Sequence, residues 1–133
     1  MAAIFLKYWD KYLIDGVSYT LLLSAITVLG GVVFASLLAL MKMSKVAPLR
    51  WLSTIYIEVI RGTPMLLQLY FFYFGLPMLI PALNNQKFLC IAIALICNSA
   101  AYVSEVIRSG IQAVDPGQRE AALSLGFGER GAM

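Results

Sequence analysis

Polar side chains interrupt otherwise apolar stretches of this sequence, among them Glu58, Arg61, Thr63 and Asn98. An ionisable or amide group surrounded by hydrocarbon is costly unless it has a partner. Glu58 and Arg61 are three residues apart, so on a helix they can form an ion pair. Such a pair can simply neutralise itself at a membrane surface, or it can belong to a gate or a subunit contact. Asn98 can bond to a neighbouring helix or contact a bound substrate.

The residue sets that enzymes use are not found in this sequence. It contains no histidine and no loop of the form G-x-x-x-x-G-K-[ST], which would cradle ATP phosphates. Residues 126–131 match G-x-G-x-x-G, but they follow a predicted helix, whereas a dinucleotide site follows a strand. Cys90 and Cys97 would share one helix face about 10 Å apart, which is too far for a disulfide. We therefore expect no enzymatic activity, no cofactor and no metal.

The composition is that of an integral membrane protein. Hydrophobic residues make up 61% of the 133 residues and charged residues only 13%, against roughly a quarter in soluble domains. Three stretches are long enough to cross a hydrocarbon core of ~30 Å, at about residues 17–41, 53–76 and 87–106. Residues 1–15 interleave aromatic and charged side chains, which is typical of a segment at the membrane surface. The sequence predicts an all-α membrane protein with three transmembrane helices.

The first two spans carry internal features of their own. The second contains Gly62-Thr63-Pro64, so we expect a kink at Pro64, with the Thr63 side chain capping the outer half of the helix. Small and polar residues recur along one face of the first span: Thr20, Ser24, Thr27 and Gly31. This face can be a close-packing surface between helices or the lining of a substrate path.

A short helix is predicted after the third span, at about residues 116–125. Asp115 can cap its N-terminus, Pro116 suits its first position, and Gln118 can complete a capping box. Gly126 can end it in the left-handed conformation. The helix spans only about 15 Å, and without a wide apolar face it needs a partner surface to be stable. Its two adjacent alanines would let another protein pack closely.

These residues resemble a known motif. Glu120-Ala121-Ala122-x-x-x-Gly126 matches the first half of the EAA motif of ABC importer permeases. Residues 58–77 and 100–118 resemble the polar amino-acid branch of that family, the histidine, glutamine, glutamate, arginine and cystine type. The three stretches, in this order and at this spacing, are far more specific than the triplet alone. The family's motif continues into an I-x-L-P end, which these 133 residues do not contain.

The resemblance implies a fold, a function and partners. Residues 16–133 would be part of a type I ABC importer permease, an inner-membrane protein of bacteria that imports a polar amino acid. It would work with two cytoplasmic ATPase subunits, a second permease subunit and an extracytoplasmic amino-acid-binding protein, surrounded by membrane lipid and without nucleic acid. The positions that would couple it to the ATPase are Glu120, Ala121, Ala122 and Gly126. The candidates for the translocation path or gate are Asn98, Glu58, Arg61 and Thr63.

A function of a different class is compatible with the same residues. A membrane assembly protein of three helices could use the terminal helix to recruit a soluble partner and transport nothing itself. Binding to an ATPase would fit either function, whereas ATP-dependent uptake of a labelled amino acid would fit only the importer.

The distribution of basic residues predicts the orientation. Cytoplasmic loops of membrane proteins are enriched in Lys and Arg. With three spans and the N-terminus outside, the cytoplasmic side holds seven of the ten basic residues: Lys42, Lys45, Arg50, Arg61, Arg108, Arg119 and Arg130. The other side holds Lys7, Lys11 and Lys87. This arrangement puts the terminal helix, residues 116–125, in the cytoplasm.

Single cysteines test this orientation in a background without Cys90 and Cys97. In intact cells, Asn85→Cys should react with an impermeant thiol reagent, because the loop that carries it is predicted to lie outside. Lys45→Cys should react only after the membrane is permeabilised. Labelling of Lys45→Cys in intact cells would show that the orientation is wrong.

Overall fold

A computed structural model describes residues 8–9, 11–128 and 131, without the side chains of Lys11 and Tyr12. All regular secondary structure in this part of the chain is helical, which confirms the predicted all-α class. The main helices are α1 (Gly16–Met43), α2 (Ala47–Gly62), α3 (Met65–Tyr70), α4 (Leu76–Leu79), α5 (Lys87–Gln112) and α6 (Pro116–Ser124). Most of the predicted surface segment, residues 1–15, lies outside the described residues.

The long helix α1 turns sharply into α2. A π-helical turn, Lys11–Asp15, leads into α1. At its other end Ser44 leaves the helical conformation, with ψ at 145°. The Ser44 hydroxyl oxygen accepts a hydrogen bond of 3.1 Å from the backbone N–H of Val46. Because α2 starts at Ala47, only three residues separate the two helices, so they must be neighbours.

The second apolar segment is broken where the sequence predicts. Helix α2 ends at Gly62, Pro64 is extended with ψ at 134°, and α3 begins at Met65. A π-helical segment, Phe71–Gly75, then connects α3 to α4. The predicted cap is wrong, since no side chain caps α3. The Thr63 hydroxyl instead donates to the carbonyl oxygens of Val59 (3.0 Å) and Ile60 (3.3 Å), at the end of α2.

By length and composition, two helical stretches of the described chain can cross a membrane, Leu13–Met43 and Lys87–Gln112. A third apolar stretch, Met65–Leu79, is shorter, so a further crossing would have to combine it with α2. The count of three spans stays a prediction. Helix α5 runs past the predicted end of the third span at residue 106, because nothing interrupts its backbone before residue 113.

Small residues allow the long helices to pack closely. Helix α1 lies along α5, and α2 packs against both. Helix α1 buries Gly31, Ala35 and Ala39, while α2 buries Ser53 and Ile57. The residues that α5 buries are Cys90, Ala92, Ala94, Ala100, Ala101 and Ser104. Such residues bring backbones together where lipid provides no hydrophobic drive for association.

The polar face predicted on α1 divides into two parts. Gly31 packs against Ser99 of α5, which confirms close packing at that position. Nearer the N-terminus of α1, Thr20, Ser24 and Thr27 line an open groove together with Leu95 of α5. The Thr27 hydroxyl oxygen in this groove is buried and has no hydrogen-bond partner.

The outer surface of the bundle is apolar. Large side chains such as Leu29 and Val33 of α1 and Leu66 of α3 are exposed, Leu29 by 71%. In water such a surface would drive association. In a bilayer it faces hydrocarbon, so the arrangement of small residues inside and large residues outside is typical of a membrane protein.

Substitution of Gly31 tests the packing of α1 on α5. In Gly31→Ala the new Cβ would lie 2.7 Å from Ser99 Oγ and 3.0 Å from Ser99 Cβ. Overpacking of this kind costs typically about 1–3 kcal/mol. Unfolding in detergent should show the loss of stability.

Two further variants control for the added methyl group. Gly110→Ala changes a glycine of α5 whose Cβ would meet nothing within 4 Å, and it should leave stability unchanged or slightly higher. Adding Ser99→Gly to Gly31→Ala should restore stability. Equal stability of the two single alanine variants would contradict the close packing.

Candidate functional site

A buried side-chain amide stabilises the break in the second apolar segment. Pro64 has no backbone N–H, so the carbonyl oxygen of Ile60, four residues earlier, loses its helical donor. Gln68 Nε2 takes that place, donating to the Ile60 carbonyl oxygen at 2.7 Å. The same nitrogen donates to Thr63 Oγ1 at 2.7 Å, and the Gln68 residue is only 7% exposed. One side chain therefore satisfies the polar groups that the break leaves open.

Asn98 joins this amide to α5. Its Nδ2 donates to Gln68 Oε1 at 3.0 Å, so the half-buried Asn98 has a partner on a neighbouring helix, one of the two roles considered for it from the sequence. Thr63, Gln68 and Asn98 form one polar cluster, which we call the break cluster. Gln68 was not among the residues singled out from the sequence. The signal that could have found it is the proline four residues before it, which leaves a carbonyl without a donor.

Glu58 and Arg61 do not form the predicted ion pair. In the described part of the chain, the ion pairs involve Glu105 instead. The Arg61 guanidinium lies over the ring of Tyr102 on α5, 5.4 Å from its centroid, and Glu58 is exposed. An exposed pair at this spacing stabilises a helix by only ~0.2–0.5 kcal/mol, and a cation–π contact by ~0.5–1 kcal/mol. The tertiary contact therefore outweighs the local one.

A charged cluster ties the end of α1 to the end of α5. Lys42 Nζ lies 2.6 Å from Glu105 Oε1, and Arg108 Nη2 lies 2.8 Å from Glu105 Oε2. The side chains of Lys42 and Glu105 are only 18% and 17% exposed. Arg108 also donates to Gln112 Oε1 at 2.6 Å. Sequence reasoning missed the Lys42–Glu105 contact, which joins residues 63 positions apart.

The terminal helix α6 has the N-terminus that its sequence predicts. Asp115 is extended, and its Oδ1 accepts a hydrogen bond of 2.7 Å from the backbone N–H of Gly117. Pro116 occupies the first helical position. Within the described residues, the Gln118 side chain makes no reciprocal bond to the backbone of Asp115, so the prediction of a complete capping box is wrong.

Its C-terminus is also as predicted. Gly126 is the single residue of the described chain with a positive φ, at 87°. The N–H of Gly126 bonds to the carbonyl oxygen of Leu123 at 3.0 Å, and the N–H of Phe127 bonds to that of Ala122 at 3.1 Å. These two bonds are the Schellman arrangement, which satisfies the last carbonyls of a helix.

Helix α6 presents its surface to the outside. It buries none of its residues, and Glu120 and Ala121 are exposed while Ala122 is half-buried. Three residues, 113–115, separate it from α5. The structure therefore places three of the predicted coupling residues on α6 and the fourth, Gly126, just after its end, apart from the break cluster.

Comparison with known proteins adds independent findings. Residues 31–133 match the family described as "Binding-protein-dependent transport system inner membrane component". The "Arginine transport system permease protein ArtQ" of Bacillus subtilis is 43% identical over 115 residues, which are 86% of this chain and 52% of that protein. A relative from Rickettsia bellii, named for a glutamine transport system permease, is 46% identical over 114 residues, 86% of this chain and 52% of that protein.

A solved structure resembles the fold. The "Crystal structure of an amino acid ABC transporter with histidines" matches with a TM-score of 0.81 and 46% identity, over 96% of this chain and 59% of that one. The chain thus spans about half the length of the curated relatives that it matches.

The break cluster predicts a ranking of two substitutions. Gln68→Leu removes the donor to Ile60 and Thr63 and the acceptor of Asn98. The Ile60 carbonyl oxygen keeps only the longer bond of 3.3 Å from Thr63, and an unsatisfied buried group costs about 1–3 kcal/mol. Asn98→Leu removes only one bond, worth about 0.6–2 kcal/mol in a membrane. Thermal unfolding in detergent should therefore rank Gln68→Leu as the less stable variant.

The double variant and a control complete this test. With Gln68 already replaced, Asn98→Leu should cost little more, because the two amides act as a unit. Ser36→Ala should be near neutral, since the Ser36 hydroxyl only bonds back to Val32 of its own helix. Additive costs in the double variant would show that the two amides do not interact.

Proposed function

The chain belongs to the family of binding-protein-dependent transport system inner membrane components, and on that premise we propose that it is a permease subunit of an ABC importer for a polar amino acid. The observation that carries the proposal is α6. Its two ends are fixed by Asp115 and Gly126, it has no buried residue, and it carries Glu120, Ala121 and Ala122 at the positions of the EAA motif. A short exposed helix with defined ends is suited to dock on a partner.

The partner proposed for α6 is an ATP-binding cassette subunit in the cytoplasm, which hydrolyses the ATP. The adjacent alanines leave backbone and Cβ atoms near the surface, so a groove of the ATPase can approach closely. Glu120 is exposed beside them and can bond to a donor in that groove. A second permease subunit and an extracytoplasmic amino-acid-binding protein complete the proposed importer in the bacterial inner membrane.

The contacts of α5 suggest how movement reaches the membrane. A displacement of α6 acts on α5 through the three residues that join them. At that end of α5, Glu105 holds Lys42 of α1, so α1 and α5 move together. Further along α5, Asn98 holds Gln68 beside the break. Movement of α5 therefore changes the forces on the bend between α2 and α3, which we propose as the gate.

The proposed substrate path runs past the same residues. Asn98 donates an amide N–H to Gln68, and its Oδ1 accepts no hydrogen bond from another described residue. A carbonyl oxygen of this kind accepts hydrogen bonds from an ammonium, guanidinium or amide group, which polar amino acids carry. Thr63 belongs to the same cluster, while Glu58 and Arg61 lie on α2 just before the break. The names of the two relatives, for arginine and for glutamine, support this substrate class.

Gly126→Val tests the coupling role of α6. At Gly126 φ is 87° and a Cβ would meet nothing within 4 Å, so the substitution acts through backbone strain, of about 1–3 kcal/mol for a residue forced to positive φ. We expect the end of α6 to distort, docking of the ATPase to weaken and ATP-dependent uptake to fall, while membrane insertion stays intact. The chain, joined to the remaining C-terminal part of a relative, is assayed by co-purification, uptake of labelled amino acid and protease protection.

Gly128→Val is the matched control. A Cβ there also meets nothing within 4 Å, and the backbone of Gly128 is not in the positive-φ region, so docking and uptake should persist. If Gly126→Val inserts, docks and transports normally, the coupling role of α6 is wrong. If the unsubstituted protein binds the ATPase but never imports an amino acid, the membrane assembly function is the correct one.

A further inference from the structure

The turn between α1 and α2 carries two basic side chains that the described chain leaves unpaired. Lys45 and Arg50 are exposed, and neither of their cationic groups forms an ion pair or a hydrogen bond with another described residue. Lys42, by contrast, is taken by Glu105. The next acidic residue along α2 is Glu58, about 12 Å from Arg50 by helical rise. The positive charge of the turn is thus available to an external partner.

An apolar groove lies beside these charges. It is an open depression on the surface of α2, lined by Ala47, Pro48, Arg50, Trp51 and Thr54, which we call the basic groove. The Thr54 hydroxyl already donates to the Arg50 carbonyl oxygen at 2.8 Å, so it does not need an acceptor from a ligand. The groove therefore offers an apolar wall with one guanidinium at its rim.

The basic groove follows the end of a helix that is long enough to cross a membrane, so it would lie at the level of lipid headgroups. The apolar helix α1 ends at Met43, only a few residues before the groove. Trp51 is 72% exposed on the outside of the bundle. Tryptophan is enriched where the hydrocarbon of a bilayer meets water. A ligand of the basic groove would thus come from the bilayer itself.

We propose that the basic groove binds an anionic phospholipid. The headgroup phosphate would accept hydrogen bonds from Arg50, whose planar guanidinium suits phosphate oxygens, and would lie near the ammonium group of Lys45. The glycerol and the upper acyl chain would pack on Trp51 and Pro48. Charge complementarity selects an anionic over a zwitterionic lipid, since basic residues near a membrane surface attract anionic headgroups. This proposal needs α1 to lie in a membrane and does not depend on transport.

Fluorescence of Trp51 provides the test. The sequence has two tryptophans, Trp9 and Trp51, so Trp9→Phe leaves one reporter. The full chain is placed in phosphatidylcholine nanodiscs with a small, equal mole fraction of either brominated phosphatidylglycerol or brominated phosphatidylcholine. At equal mole fraction, brominated phosphatidylglycerol should quench Trp51 more strongly than brominated phosphatidylcholine. Arg50→Gln or Lys45→Gln should each reduce this preference by about fivefold, and the double substitution should abolish it.

Two control variants separate the charge at the basic groove from the charge of the protein as a whole. Lys87→Gln removes the same charge at the opposite end of the bundle and should leave the preference unchanged. Arg50→Lys keeps the charge and should retain most of the preference, which would show that the charge at this position is what selects the lipid. Equal quenching of the Trp9→Phe protein by the two lipids would overturn the proposal, as would a preference that survives the double substitution.

Discussion

The missing N–H of Pro64 is the constraint on which the arrangement of the helices depends. In hydrocarbon no water can satisfy a carbonyl that has lost its helical donor, and the Ile60 carbonyl oxygen is in that position. Gln68 Nε2 supplies the donor at 2.7 Å, which requires Gln68 to fold back over the break. Its own oxygen then needs a donor, and Asn98 provides one at 3.0 Å. The break thus determines where α5 must lie.

The rest of the bundle is consistent with that requirement. Small residues let α1 and α5 approach along their length, and Glu105 fastens their ends by its contact with Lys42 at 2.6 Å. A part-buried ion pair of this kind is a weak source of net stability, because its desolvation offsets much of the attraction. The effect of the ion pair here is on geometry, since it holds α1 and α5 together at the end nearest α6. Helix α6 differs from α1 and α5 in that none of its residues is buried.

Features that depend on residues close together in the chain could be predicted from the sequence. Asp115 and Gly126 determine the ends of α6 through bonds to their immediate neighbours, and the break at Pro64 follows from a missing donor. The non-local contacts could not be predicted in the same way. Nothing near Lys42 in the sequence points to Glu105, and the spacing of Glu58 and Arg61 permits a pair that the ring of Tyr102 prevents. Gln68 is an intermediate case. Its role could have been predicted from Pro64, because the proline leaves the Ile60 carbonyl oxygen without its helical donor.

The central claim is that movement of α6 reaches the bend between α2 and α3 through α5. Pulsed EPR on the chain, joined to the C-terminal part of a relative and assembled with the proposed ATPase partner, measures this directly, with spin labels at two exposed positions on either side of the break, Leu52 on α2 and Met78 on α4. The distance between the labels should differ between the nucleotide-free and the ATP-bound states, and Asn98→Leu should reduce the difference. The same distance in both states, while the ATPase closes normally, would contradict the account.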